Sequence, residues 1–148
     1  MSGVVMGART GSPGGGGQYS VFYTAVPDGA GFTDSAWIDG LRQDAENRSN
    51  LALVNTGEVD GGDSVFSLDI YDGDTGKRVK TVGGIVVSAR RWRQINSILS
   101  HYAPGTRQGY IQVRRFAGDN PFLAYGVVND GGAPGHRSGD GAYIPARE

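Results

Sequence analysis

The stretch Arg48-Ser49-Asn50-Leu51-Ala52-Leu53-Val54-Asn55-Thr56-Gly57 decides the fold class. In an extended chain successive side chains alternate faces, so Leu51 and Leu53 share one face and Ala52 and Val54 the other. Both faces are apolar. That pattern predicts a strand in the middle of a packed sheet, ended by the turn chemistry of Asn55-Thr56-Gly57.

Upstream, Gln43-Asp44-Ala45-Glu46-Asn47 reads as a polar loop and Trp37-Ile38-Asp39-Gly40-Leu41 as a short extended piece. Downstream, Asp60-Gly61-Gly62-Asp63 turns the chain into Ser64 to Asp72. There Phe66, Leu68 and Ile70 alternate with Ser67 and Asp69, which predicts a strand with one wet side. Asp72-Gly73-Asp74-Thr75-Gly76 reads as a hairpin turn, and Arg78 to Val87 returns with a bulge expected at Gly83-Gly84.

Helical spacing follows, with Ile95, Ile98, Leu99 and Tyr102 at i, i+3, i+4 and i+7 before Pro104-Gly105 stops it. So short a helix depends on packing and is expected to cross between two sheets. Gly109 to Phe116, Phe122 to Asn129 and Ala142-Tyr143-Ile144 read as further strands, the last two separated by a Gly/Pro loop over Asp130 to Asp140. At the start, a strand over Val4 to Arg9, a glycine-rich loop over Gly11 to Gly17 and a strand over Tyr19 to Ala25 make a hairpin. About eight or nine strands with one short crossover helix predict an all-β fold, an antiparallel β-sandwich.

Composition narrows the function classes. A chain of 148 residues is one domain in size and can bury roughly 70% of its unfolded surface without disulfides or metal. It has no cysteine, which removes disulfides, cysteine-ligated zinc and thiol nucleophiles together. A net charge of −1 gives no global field toward nucleic acid or anionic lipid. Its 26 glycines, scattered between apolar runs, mean many tight turns. No apolar run approaches the ~20 residues of a membrane span, and Met1-Ser2-Gly3-Val4-Val5-Met6 has no signal-peptide pattern.

The two ends echo one another. Val5-Met6-Gly7-Ala8-Arg9, a loop with Pro13-Gly14, and Phe22-Tyr23-Thr24-Ala25 match Ala124-Tyr125-Gly126-Val127-Val128, a loop with Pro134-Gly135, and Tyr143-Ile144-Pro145-Ala146. Gly7 aligns with Gly126, the loops differing by two residues. Residues 1–26 then read as the tail hairpin of a preceding module and residues 27–148 as a complete one.

The motifs Arg48 to Asn55, Tyr71-Asp72-Gly73-Asp74-Thr75-Gly76 and Ala124-Tyr125-Gly126-Val127-Val128-Asn129-Asp130 resemble those of repeated β-sandwich modules near the C-termini of large secreted or surface-exposed bacterial proteins. The resemblance covers roughly residues 36 to 146 and carries over no functional residue. It implies an Ig-like, extracellular or cell-surface structural module without activity of its own. Its partners would be neighbouring copies or other domains of the parent protein, including a homo-oligomer formed by strand pairing.

His101 and His136 lack any Gly-x-Ser-x-Gly or His-Glu-x-x-His context, so no enzyme and no catalytic residue is expected. Asp72 and Asp74 begin a calcium-loop pattern, but Lys77-Arg78 follow, so a turn is expected and no cofactor or metal is assigned. Arg90-Arg91-Trp92-Arg93 and Arg114-Arg115 outline a single-strand nucleic-acid surface. Against an acidic chain they read better as solvated strand ends with Trp92 turned into the core. Trp37 and Trp92 are the stacking candidates of the alternative function, a carbohydrate-binding module.

Overall fold

A computed structural model describes residues 6–14, 17–130 and 140–148. The strands are β1 (Gly7–Gly14), β2 (Gly17–Thr24), β3 (Ser35–Arg42), β4 (Asn47–Asn55), β5 (Ser64–Asp72), β6 (Arg78–Val87), β7 (Arg91–Ile95), β8 (Gln108–Ala117), β9 (Phe122–Asp130) and β10 (Gly141–Pro145). A helix, α1 (Ile98–Tyr102), lies between β7 and β8. Sheet A has the order β1-β2-β10-β9-β4-β7 and curls into a half-barrel; sheet B has the order β3-β8-β5-β6.

The sheets face each other across one core. Sheet A contributes Leu51, Leu53, Ile95, Phe122 and Ala124; sheet B contributes Ala36, Ile38, Leu41, Phe66, Leu68, Ile70, Ile111 and Val113. Phe122 meets Phe66 edge-on across the gap, with ring centroids 5.1 Å apart. Gly126 permits close approach of the layers: a Cβ there would lie 2.9 Å from the Leu41 side chain and 3.2 Å from that of Ile38. Leu51, Ala52 and Leu53 are all buried, as the doubly apolar pattern requires, and β4 sits between β9 and β7.

Strand β5 faces the core with Phe66, Leu68 and Ile70. Its wet side is interrupted, because Asp69 is buried beneath Arg114 and Thr81. The expected bulge is present. Phe66 faces Ile85 and Leu68 faces Val82, so β6 holds an extra residue there, and Gly84 takes φ +73. Helix α1 crosses from sheet A to sheet B as expected, but it is five residues long. Ile95 belongs instead to β7, a strand the basic Arg90-to-Arg93 sequence did not announce.

The first hairpin differs from the sequence reading. Its strands run into the glycine-rich segment, with Gly14 paired to Gly17, and β2 joins sheet A by a parallel bridge from Val21 to Gly141. The sandwich is therefore not wholly antiparallel. In the second hairpin Ile144 lies opposite Gly126, whereas its echo Tyr23 lies opposite Ala8 and not Gly7. The two registers thus differ by one residue from the sequence alignment. The expected strand at Val4-Val5 and the Asp130-to-Asp140 loop fall largely outside the described residues.

Candidate functional site

The outer face of sheet B concentrates aromatic and hydrogen-bonding side chains. Tyr71 of β5 and Tyr110 of β8 lie directly opposite each other in register, and their rings stack 5.0 Å apart at 2°. Trp37 of β3 leans over the adjacent strand, 5.7 Å from Tyr71 and 6.1 Å from Tyr110. All three rings are half-buried. Gln112 stands between Trp37 and Asp69 in register.

Beside the rings, Asp69 accepts from Arg114 at 2.5 Å and from the Thr81 hydroxyl at 2.5 Å, with Arg78 at 3.6 Å. The carboxylate is 2% exposed, so charge-assisted bonds replace the water it has lost. At the sheet edge, the Trp37 backbone pairs with Arg147, whose guanidinium reaches the Asp39 carboxylate at 2.5 Å. The face combines three aromatic rings, two of them stacked on each other, with a row of polar groups.

Trp92 is placed elsewhere. It lies on edge strand β7 of sheet A opposite Val54 and is 61% exposed, so it does not turn into the core. The inward position on β7 is taken by Ile95, and alternation sends Trp92 outward. Trp37 and Trp92 thus stand on different sheets and form no shared platform.

The remaining groups resolve individually. His101 is exposed in the last turn of α1, its ring edge-on to Tyr102 at 4.4 Å; His136 lies outside the described residues. The Asp72 carboxylate accepts from both the backbone N–H and the hydroxyl of Thr75 at 2.8 Å, and these bonds hold its pKa below the usual carboxylate value. Asp74 points into a polar cleft of about 290 Å³ shared with Arg42, Asp44, Arg107 and Gln108. Among the described residues no group of three or more histidine or acidic side chains is placed to hold a metal. Arg114 is bound to Asp69, and Arg115 donates to the Asn120 carbonyl at 2.6 Å, so both serve internal bonds. No helix among the described residues is long and apolar enough to cross a membrane.

A second surface was not visible in the sequence. On the outer face of sheet A, Tyr23 of β2 meets Tyr125 and Tyr143 edge-on, both at 5.6 Å. This seam covers Ala52 and Val127, which are buried although they point away from the main core. Burial pushes the Tyr125 hydroxyl up to about 12, helped by Tyr23 and Tyr143, and raises Tyr143 in the same sense. Beyond the single Val21–Gly141 bridge, β2 and β10 diverge around an apolar cleft of about 640 Å³ that includes Phe22 and Tyr143. Alternation puts Tyr23, Tyr125 and Tyr143 on strands, but only the fold pairs the first hairpin with the last. Comparison with known proteins finds no matching family model, no matching curated protein and no matching solved structure.

Proposed function

We propose that the chain is a non-catalytic, Ig-like β-sandwich module of a larger extracellular bacterial protein, acting as a spacer, adhesion scaffold or self-associating repeat. The observation that carries this reading is the first hairpin. It echoes the last one in sequence, and it adds its two strands to sheet A at the β10 edge, beyond the strands that supply the buried core. The buried polar side chains fit a scaffold as well. Asn55 and Asn120 spend their amides fastening the 56–63 turn, and Asp69 joins three strands. Protease treatment of intact source cells tests the placement: peptides of this chain should be released, and their recovery only after lysis would reject it.

The carbohydrate-binding alternative is favoured by one observation, the Trp37, Tyr71 and Tyr110 face with Asp69, Arg114 and Gln112 beside it. A sugar would stack on the Trp37 ring, since Tyr71 and Tyr110 are stacked on each other, while its hydroxyls bond to adjacent polar groups. A glycan array separates the two readings. Binding abolished by Trp37→Ala and retained by Trp92→Ala selects the glycan reading; no binding by the wild-type chain leaves the scaffold.

A further inference from the structure

Resting on the carbohydrate-binding reading above, we infer that the polar cleft where β3 ends and β8 begins is a second subsite of the Trp37 face, which then takes a short neutral oligosaccharide. A β-bulge sets up the juxtaposition. Ile38 faces Ile111 and Leu41 faces Gly109, so β3 holds an extra residue between them, and Gly40 takes φ +72. Strict alternation from Trp37 would turn Arg42 inward. The extra residue returns Leu41 to the core and sets Arg42 on the outer face, opposite Gln108. Trp37 stands opposite Gln112 of the same strand, so ring and cleft lie four residues of β8 apart, about 13 Å. One sugar ring cannot cover that distance, and a short chain of them can.

The cleft, of about 290 Å³, brings together Arg42, Asp44, Asp74, Arg107 and Gln108. Its walls are braced by backbone bonds. The Gly73 N–H donates to the Gln108 carbonyl at 2.9 Å, and the Gln43 N–H to the Arg107 carbonyl at 2.9 Å. Asp44 accepts from the Glu46 and Asn47 N–H groups at 2.7 and 2.8 Å. The geometry is thus held before a ligand arrives. Two guanidinium groups and two carboxylates cancel, so a free anion or cation meets repulsion as well as attraction. A hydroxyl both donates and accepts, and it can pair with Arg42 or Arg107 on one side and with Asp74 or the Gln108 amide on the other. Tyr110 lies between cleft and Trp37 on β8, its ring stacked on Tyr71 and its hydroxyl 3.5 Å from the Gly76 carbonyl. It makes the floor along which the sugar chain runs.

The test is calorimetric titration of the full chain with β-1,4-linked glucose, xylose and mannose series, each from monosaccharide to hexasaccharide. At least one series should bind, with affinity rising about tenfold or more from the monosaccharide to the longer members. Arg42 and Arg107 have exposed side chains, and Arg42→Ala and Arg107→Ala should each weaken the longer members about tenfold while leaving the shortest unchanged. Trp37→Ala should abolish binding at every length. Raising the salt concentration should leave the affinity unchanged, and oligogalacturonate should bind no more tightly than the neutral chains. Equal affinity at every length, or long members indifferent to both arginine variants, overturns the second subsite and leaves the Trp37 reading standing. Tighter, salt-sensitive binding of oligogalacturonate overturns the neutral ligand class. Absence of binding in every series overturns the glycan reading and the second subsite with it.

Discussion

Truncation of Phe122 probes the contact on which the sandwich turns. Phe122 is fully buried on β9, 5.1 Å from Phe66 of the opposite sheet and 5.7 Å from Phe32. The backbone bonds between Phe32 and Phe122, 2.8 and 2.9 Å, do not involve the ring and survive the change. Phe122→Ala therefore removes ring burial and two aromatic contacts and leaves a cavity between the layers, at a cost of about 4 kcal/mol. In a chain of this length that lowers Tm by about 8–16 °C. Urea unfolding followed by fluorescence should show a lower midpoint at unchanged slope, since the surface exposed on unfolding is the same. Phe116→Ala is the internal control: Phe116 is 83% exposed, and its loss should stay within about 0.5 kcal/mol. Equal shifts for the two variants would refute a core centred on Phe122.

Two further perturbations follow from the hydrogen bonds and the tyrosine seam. Asn120 is buried and accepts from the Val59 and Asp60 N–H groups while donating to Asp60 and Gly62, so Asn120→Ala should cost about 2–3 kcal/mol in chemical denaturation; a loss below about 0.5 kcal/mol would show that water replaces these bonds. Tyr125 carries a folded-state pKa raised from 10.0 to about 12, so the folded chain holds its proton where the unfolded chain has released it. Its contribution is therefore complete below pH 10 and lost as pH rises toward 12. Alkaline titration should show Tyr125 and Tyr143 keeping their protons above the ordinary tyrosine value, and Tyr125→Phe should weaken the dependence of stability on pH; an unchanged profile in Tyr125→Phe would contradict the assignment.

The sequence made legible what depends on local pattern. Alternation placed Leu51, Leu53, Phe66, Leu68 and Ile70 inside, Gly83-Gly84 marked the bulge, and Asp72 with Thr75 made the hairpin turn. What failed depends on neighbours distant in sequence. Ile95 fits a helical period with Ile98 and Leu99 yet pairs with Leu51 in sheet A, because β4 had an open edge to fill. Trp92 was assigned to the core by its size, although its parity on β7 is opposite to that of Ile95. The face formed by Trp37, Tyr71 and Tyr110 unites three strands, of which β3 and β5 are separated by β8, and no spacing in the chain encodes that adjacency. The first hairpin was legible as a hairpin, but its seat on β10 was not.

The central claim is that the hairpin of β1 and β2 is an attachment to a sandwich complete without it. Hydrogen exchange of the intact chain across increasing denaturant tests this most directly. The amides of Ala8, Thr10 and Val21 should open by a local route, with a free energy well below that of Leu51, Leu53 and Ile111. Opening of all these amides at one common free energy would make the hairpin part of the cooperative core and contradict the account.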